Sequence, residues 1–270
     1  GLVGSEMCIR DRVKTEREEL VFPQSDKSSD VLQTLQKALR RRNVMVRLHT
    51  KMTGLMIEDH ICKGVKVQSY HGALETLTAD DVILTTGGLA YPSTGSTGDG
   101  HRLLKQAGVA LEPCYPALVP VETVEEWPIR LQGLSLRNVS LRVERGSHKI
   151  YEEQGEMLFT HFGVSGPLVL SASSLLGRKG AKDCKLHIDL KPALSEEQLD
   201  ERLQRDFAAQ KNSMFKNSLG KLLPSKLIPV IVELSEITPD KQVNEVTRQE
   251  RHRLVKLCKN LTCTVKKLRD

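Results

Sequence analysis

The stretch TTGGLAYPSTGSTGDGHRLL, residues 85–104, carries the residue types best suited to chemistry. Gly87 and Gly88 end a short apolar run, and Gly95, Gly98 and Gly100 follow. Glycines at this density let a backbone approach a ligand closely or take positive φ. Thr94, Ser96 and Thr97 add hydroxyl donors. Asp99 or Thr97 is placed to cap the helix that GHRLLKQAG predicts, which should stop at Gly108. The free N–H groups at such a helix start favour an anion, often a phosphate. The loop is not a P-loop, because no Lys follows the last glycine in the GK[ST] arrangement. A glycine-rich turn with a capped helix and no ligand uses the same residues, so the loop alone leaves both readings open.

Other chemistry-bearing residues are sparse. Tyr91 can donate a proton or hydrogen bond, or simply anchor the loop. His161, in FTHFG, precedes the Ser165-Gly166-Pro167 helix start; a lone His is also a common structural hydrogen-bonder. Ser165 most simply caps that helix, and no GxSxG elbow surrounds it. His49, His60, His71, His101, His148, His187 and His252 are scattered and suggest no metal site. Cys62, Cys114, Cys184, Cys258 and Cys263 show no CxxC pattern, which points to reduced thiols and a cytoplasmic setting.

The elements that must position these residues follow from periodicity. SSDVLQTLQKALRRRN reads as an amphipathic helix, capped by Ser29 or Asp30, with Val31, Leu32, Leu35 and Leu39 on one face. VMVRLHTKMTGLMI, GVKVQSY and ALETLTA read as short strands in a meander. DDVILTTGG is a continuous apolar run, the pattern of a strand buried on both faces in a parallel sheet. Ligands bind at the carboxyl edge of such sheets. PCYPALVP reads as a crossing between domains. NVSLRVE and CKLHIDL alternate, suggesting a small antiparallel sheet or barrel, with GPLVLSASSLL as a helix between them. From Ser195 the chain turns helical: Ser195 and Gln198 form a capping-box pattern, and Leu199, Leu203 and Phe207 share a face. Thr238-Pro239 is expected to start another helix. LTCTV, 261–265, alternates again and returns to the small sheet.

Residues 1–12, GLVGSEMCIRDR, read as a translated sequencing adapter and are set aside, so the protein proper is expected to begin near Val13. Apolar residues make up 39% of the chain, enough for a core. The net charge is +6, but aromatics are only 4% and the basic residues are dispersed. A nucleic-acid groove wants a basic stripe with stacking rings, so no nucleic-acid partner is expected. No apolar run reaches membrane-spanning length.

Several stretches resemble one family. VILTTGG is similar to the strand with an Ala-Thr-Gly signature in glutathione-reductase-like flavoproteins. The longer TTGGLAYPSTGSTGDGHRLLKQAGV…PALVPVE resembles the BaiN/YhiN-type NAD(P)/FAD-dependent oxidoreductases. LVFPQSDKSSDVLQTL and GEMLFTHFGVSGPLVLSAS resemble further family segments, and the likeness spans about residues 16–270. It implies an α/β chain: a partial FAD/NAD(P)-binding Rossmann-like domain over 13–118, then an inserted domain over 119–270. The insert would be β-rich over 119–192 and 260–270 and helical over 193–259, covering the flavin face. The resemblance implies FAD as cofactor and NAD(P)H as electron donor, with a small-molecule substrate. Thr86, Gly87 and Gly88 would pass close to FAD, and the Met52 backbone would meet its adenine. Tyr91, Pro92, Thr94, Gly95, Ser96, Thr97, Gly98 and Asp99 would line the region near flavin or substrate. Tyr91 and His161 are the catalytic candidates. The family's GxGxxG and its ribose-binding acid are absent, as is its C-terminal glycine-rich segment. The chain is therefore expected to be a fragment that binds FAD weakly or not at all as it stands. The rival class is a non-redox protein that binds a phosphate ligand or RNA.

Overall fold

The computed structural model describes residues 13–15 and 21–269. The adapter-like residues 1–12 lie outside the described residues. The chain divides into two compact units between Glu112 and Pro113.

In the first unit, β1 (Val13–Thr15) pairs antiparallel with β2 (Val21–Pro23), and α1 (Ser28–Arg41) follows. Neither Ser29 nor Asp30 caps α1; Lys27 occupies the N-cap without a side-chain bond. Thr34 Oγ1 instead donates to the Asp30 carbonyl at 2.7 Å. β3 (Thr50–Glu58), β4 (Ile61–Ser69) and β5 (Leu74–Thr78) form the expected antiparallel meander. It starts later than the alternation suggested, since residues 44–49 are not strand. A Cβ on Gly64, whose φ is +148°, would stand 2.0 Å from the Leu77 carbonyl oxygen, so only glycine fits there.

The run at 82–88 is not a strand. It makes no ladder, and Ile83 is 84% exposed. A strand buried on both faces needs a neighbour on each edge and helices above and below. Among the described residues of this unit nothing pairs with it. For the same reason α1 keeps Leu32, Leu35 and Leu39 exposed, and the buried apolar side chains described here are Val67 and Leu103.

The second unit holds the main core. β6 (Val121–Thr123), β7 (Ser135–Arg145), β8 (His148–Thr160), β9 (Gly163–Ser165), β10 (Cys184–Asp189) and β11 (Leu261–Leu268) close an antiparallel barrel in the order β10-β11-β6-β9-β8-β7. Alternate residues such as Leu141, Val143, Leu186, Ile188, Cys263 and Val265 point inward and are buried. Trp127, on the single turn α2 (Trp127–Arg130), meets Phe159 edge to face at 5.8 Å. α3 (Pro167–Lys179) packs on β8. Its N-cap is Gly166, with no side-chain cap; Ser165 pairs with Leu158 in β9 instead, so it does not cap the helix.

The helical part inserts between β10 and β11. Ser195 and Gln198 form a complete capping box at the start of α4 (Glu196–Ala208). Leu199, Leu203 and Phe207 of α4 are buried, each contributing roughly 2 kcal/mol. α5 (Phe215–Ser218), α6 (Ile228–Ser235) and α7 (Arg248–Lys259) complete it. Thr238-Pro239 lies in a turn and starts no helix; in this helical part a proline instead stands in the first turn of α6, at Pro229. Among the described residues no helix is long and apolar enough to cross a membrane.

Candidate functional site

The glycine-rich loop folds back on itself. The Gly98 N–H donates to the Gly88 carbonyl at 3.0 Å, joining its two limbs. Gly87 and Gly98 both take left-handed φ, +73° and +77°. A Cβ on Gly98 would lie 2.5 Å from Leu89 Cδ2, so the closure needs glycine twice over. Between the limbs, Tyr91 stands in the left-handed region at φ 55° and is 79% exposed. Its carbonyl accepts from the Thr94 amide at 2.9 Å and from Thr94 Oγ1 at 2.8 Å, which holds the strained residue in place.

The loop feeds a helix over Asp99–Gln106 that packs beside β3. Neither Asp99 nor Thr97 caps it. The N-cap is Gly98, and Thr97 Oγ1 donates to Asp99 Oδ2 at 3.2 Å instead. Arg102, 3.0 Å from Asp99, holds that carboxyl below its ordinary range, and Lys51 on β3 adds to the effect. The first-turn amides are thus left without a side-chain cap. One turn atom is also orphaned: His101 Nδ1 is buried and has no partner among the described residues. In the sequence His101 is one of the scattered histidines; in the structure its unpartnered buried Nδ1 marks it out.

The structure therefore brings Thr86, Gly87, Gly88, Tyr91, Pro92, Thr94, Gly95, Ser96, Thr97, Gly98 and Asp99 into one folded loop. The strand carrying Met52, paired with Val67, lies against the same helix. His161 belongs to the second unit. It sits exposed in the turn between β8 and β9, edge-on to Phe162 at 4.8 Å. A hollow of about 430 Å³ between Leu48–Thr50 and Ser69–His71 contains none of the residues expected at the site. Among the described residues, no group of three His, Cys, Asp or Glu side chains could hold a metal ion.

Residues 9–166 match the HI0933-like protein Rossmann domain, and residues 115–270 match the HI0933-like protein barrel and H2TH domain. The chain belongs to the HI0933-like family. The barrel and helices of the second unit are thus a family feature, joined to a Rossmann domain in one mixed α/β chain. The chain is 28% identical over 247 residues to a 3-dehydro-bile acid delta(4,6)-reductase of Clostridium scindens, which covers 91% of this chain and 59% of that protein. It is 29% identical over 186 residues to a ribosomal RNA dihydrouridine synthase of Escherichia coli, covering 67% of this chain and 42% of that one. A protein of the same name from Haemophilus influenzae is 31% identical over 153 residues, 57% of this chain and 36% of its own. The chain thus spans 59%, 42% and 36% of the lengths of these three relatives.

Proposed function

We propose that the protein is an FAD-dependent oxidoreductase that takes electrons from NAD(P)H and reduces a ring carbon–carbon double bond in a small molecule. The observation that carries this reading is the glycine-rich loop, closed on an uncapped helix start, in a chain of this family. A Cβ at Gly88 or Gly95 would meet nothing within 4 Å, so space is open beside the loop backbone. The orphaned His101 Nδ1 and the uncapped amides can take further hydrogen bonds. These features fit a phosphate-bearing cofactor such as FAD. In this reading Thr86, Gly87 and Gly88 hold it through their backbone, and the Met52 strand flanks its adenine. The residues from Tyr91 to Asp99 border flavin or substrate.

A bound flavin supplies hydride transfer; the protein's groups bind, orient and exclude water. Tyr91, with its hydroxyl free in solvent, is the group proposed to donate a proton to the reacting substrate, and His161 is the alternative donor. Both kinds of relative carry names that denote reduction of a ring double bond, which supports that reaction class. A small apolar substrate is favoured over RNA because the bile acid reductase is matched along more of the chain. The free thiols Cys62, Cys114, Cys184, Cys258 and Cys263 support a reducing, cytoplasmic setting.

The test is spectroscopic. Expressed from its complete reading frame and supplied with FAD, the protein is expected to purify with flavin absorbance. NADH or NADPH should bleach it without oxygen, and an α,β-unsaturated steroid ketone should restore it. A protein that takes up no FAD, or a flavin that neither nucleotide bleaches, overturns the reading. The likeness to the dihydrouridine synthases favours a second reading, reduction of a uridine ring in RNA. Recovery of absorbance with ribosomal RNA and not with the ketone selects it.

A further inference from the structure

Lys267, near the end of β11, and Arg269, just past it, share one acid. In the barrel ladder Lys267 lies opposite Glu122 on β6, and Glu122 lies opposite Gly163 on β9. Glu122 Oε1 is 3.4 Å from Lys267 Nζ and 3.8 Å from Arg269 Nη1. The row ends on Gly163, which has no side chain to supply a second acid. The next acid along β6's segment, Glu125, is already engaged: its oxygens accept from the Thr264 amide at 2.7 Å and the Thr264 hydroxyl at 2.8 Å. Two positive groups thus meet one carboxylate, and one positive charge is left over.

The Arg269 guanidinium is held in place without being hydrogen-bonded. Its backbone amide donates to the Pro120 carbonyl at 2.9 Å, which anchors the residue just before β6. Its Cζ lies over the Phe162 ring, 4.0 Å from the centroid. His161 meets the same ring edge to face at 4.8 Å. Phe162 is itself tied down, donating its amide to Thr160 Oγ1 and accepting the Thr123 amide on its carbonyl, both at 3.4 Å. Among the described residues nothing accepts a hydrogen bond from the Arg269 side chain, and 3.8 Å to Glu122 is too long for one.

An aromatic face attracts a guanidinium but takes up none of its N–H groups, so the planar fork stays free. That fork matches the two oxygens of a carboxylate. A single leftover charge also suits a carboxylate better than a phosphate dianion. Apolar surface accompanies it: Phe162 lies against the guanidinium, and Leu118 and Val124, on the segment that carries Glu122, are exposed. We propose that Arg269, seated on Phe162 with His161 alongside, binds the carboxylate of an acid with an apolar body. The site belongs to the second unit and is independent of the reductase reading.

The probe is octanoate, titrated calorimetrically into the full chain at fixed pH and ionic strength beside octanol, acetate and inorganic phosphate. Octanoate is expected to bind about tenfold or more tightly than acetate, which lacks the apolar body. Arg269→Gln should weaken octanoate about tenfold or more, and Arg269→Lys, which keeps the charge and loses the fork, by less. Glu122→Gln removes the competing acid and should tighten octanoate about threefold. That gain separates a ligand site from a structural ion pair, which the same change would only weaken. Trp127, the protein's one tryptophan, is buried in the second unit, so its emission reports whether each variant melts with the wild type. Should Arg269→Gln melt early, Arg269→Lys and Glu122→Gln decide. The proposal is overturned if octanol or inorganic phosphate binds as tightly as octanoate, or if no octanoate binds. It is also overturned if a folded Arg269→Gln keeps full affinity, or if Glu122→Gln fails to gain any.

Discussion

A Cβ on Gly177 would stand 2.1 Å from the carbonyl oxygen of Pro116. Helix α3 therefore meets the chain entering the second unit backbone to backbone. One turn earlier, Ser173 Oγ accepts from the Val119 amide at 2.9 Å and donates to the Leu170 carbonyl at 2.7 Å. The two contacts seat the segment from Tyr115 to Val119 on the helix. In a free helix, Gly→Ala gains about 1 kcal/mol. A clash with a backbone oxygen has no rotamer by which to escape, and overpacking costs roughly 1–3 kcal/mol. Gly177→Ala is thus expected to lower the stability of the second unit by about 1–2 kcal/mol in urea denaturation followed by Trp127 emission. Unchanged or higher stability would show that the segment moves freely.

Acid should weaken the start of α7. Lys241 Nζ lies 2.8 and 2.9 Å from the two Glu250 oxygens and holds that carboxyl down to about 2, with the Thr247 amide and hydroxyl adding to the effect. Because the folded value is depressed, the contribution is complete above the ordinary value of 4.5 and disappears as pH falls from there to about 2. Allowing for partial solvent screening, about 1–2 kcal/mol is at stake. Glu250→Gln should lose correspondingly less stability than the wild type between pH 7 and pH 3. Equal losses in the two proteins would place the acid sensitivity elsewhere.

What was legible in the sequence is what depends on near neighbours. The Ser195–Gln198 box and the Leu199, Leu203 and Phe207 face are set within one helix and can be read there. The Thr247–Glu250 box has the same signature, and it was there to be read. The alternation of Leu261 to Val265 marks a strand, but barrel closure joins Val121 to Val164 and Val265 to Thr123, pairings that local pattern does not encode. The run at 82–88 misled because burial on both faces is a property of neighbours. In the loop, the glycines were legible and the cap was not. Gly98 at positive φ turns the chain so that Thr97 and Asp99 bond each other. His101 gained its interest only in three dimensions, through an unpartnered buried nitrogen.

The cysteines should separate by burial. Cys184, Cys258 and Cys263 are buried, whereas Cys114 is exposed and Cys62 is half-buried. Burial raises the Cys258 thiol to about 12 and pushes Cys263 up as well, so neither forms the reactive thiolate near neutrality. Brief alkylation of the native protein, read by peptide mass spectrometry, should label Cys114 first and Cys62 more slowly. Cys258 and Cys263 should react only after denaturation. Native labelling of Cys258 at the rate of Cys114 would mean that the barrel–helix junction opens.

Gly88 offers the sharpest test of the loop. A side chain there meets nothing in the protein within 4 Å, and its φ is not in the left-handed region. Gly98 is the opposite case, since its substitution collides with Leu89 and strains the backbone. Gly88→Val should therefore leave the fold intact, with far-ultraviolet circular dichroism and melting unchanged. If the open space beside Gly88 is where the cofactor backbone passes, the same change should weaken FAD binding at least tenfold, or about 1.4 kcal/mol, in the protein from the complete reading frame. Gly98→Ala should weaken binding too, but together with a lower melting temperature. Full FAD affinity in Gly88→Val would remove the cofactor from this face of the loop, leaving the glycines to explain only the turn that Gly98 and Gly88 close.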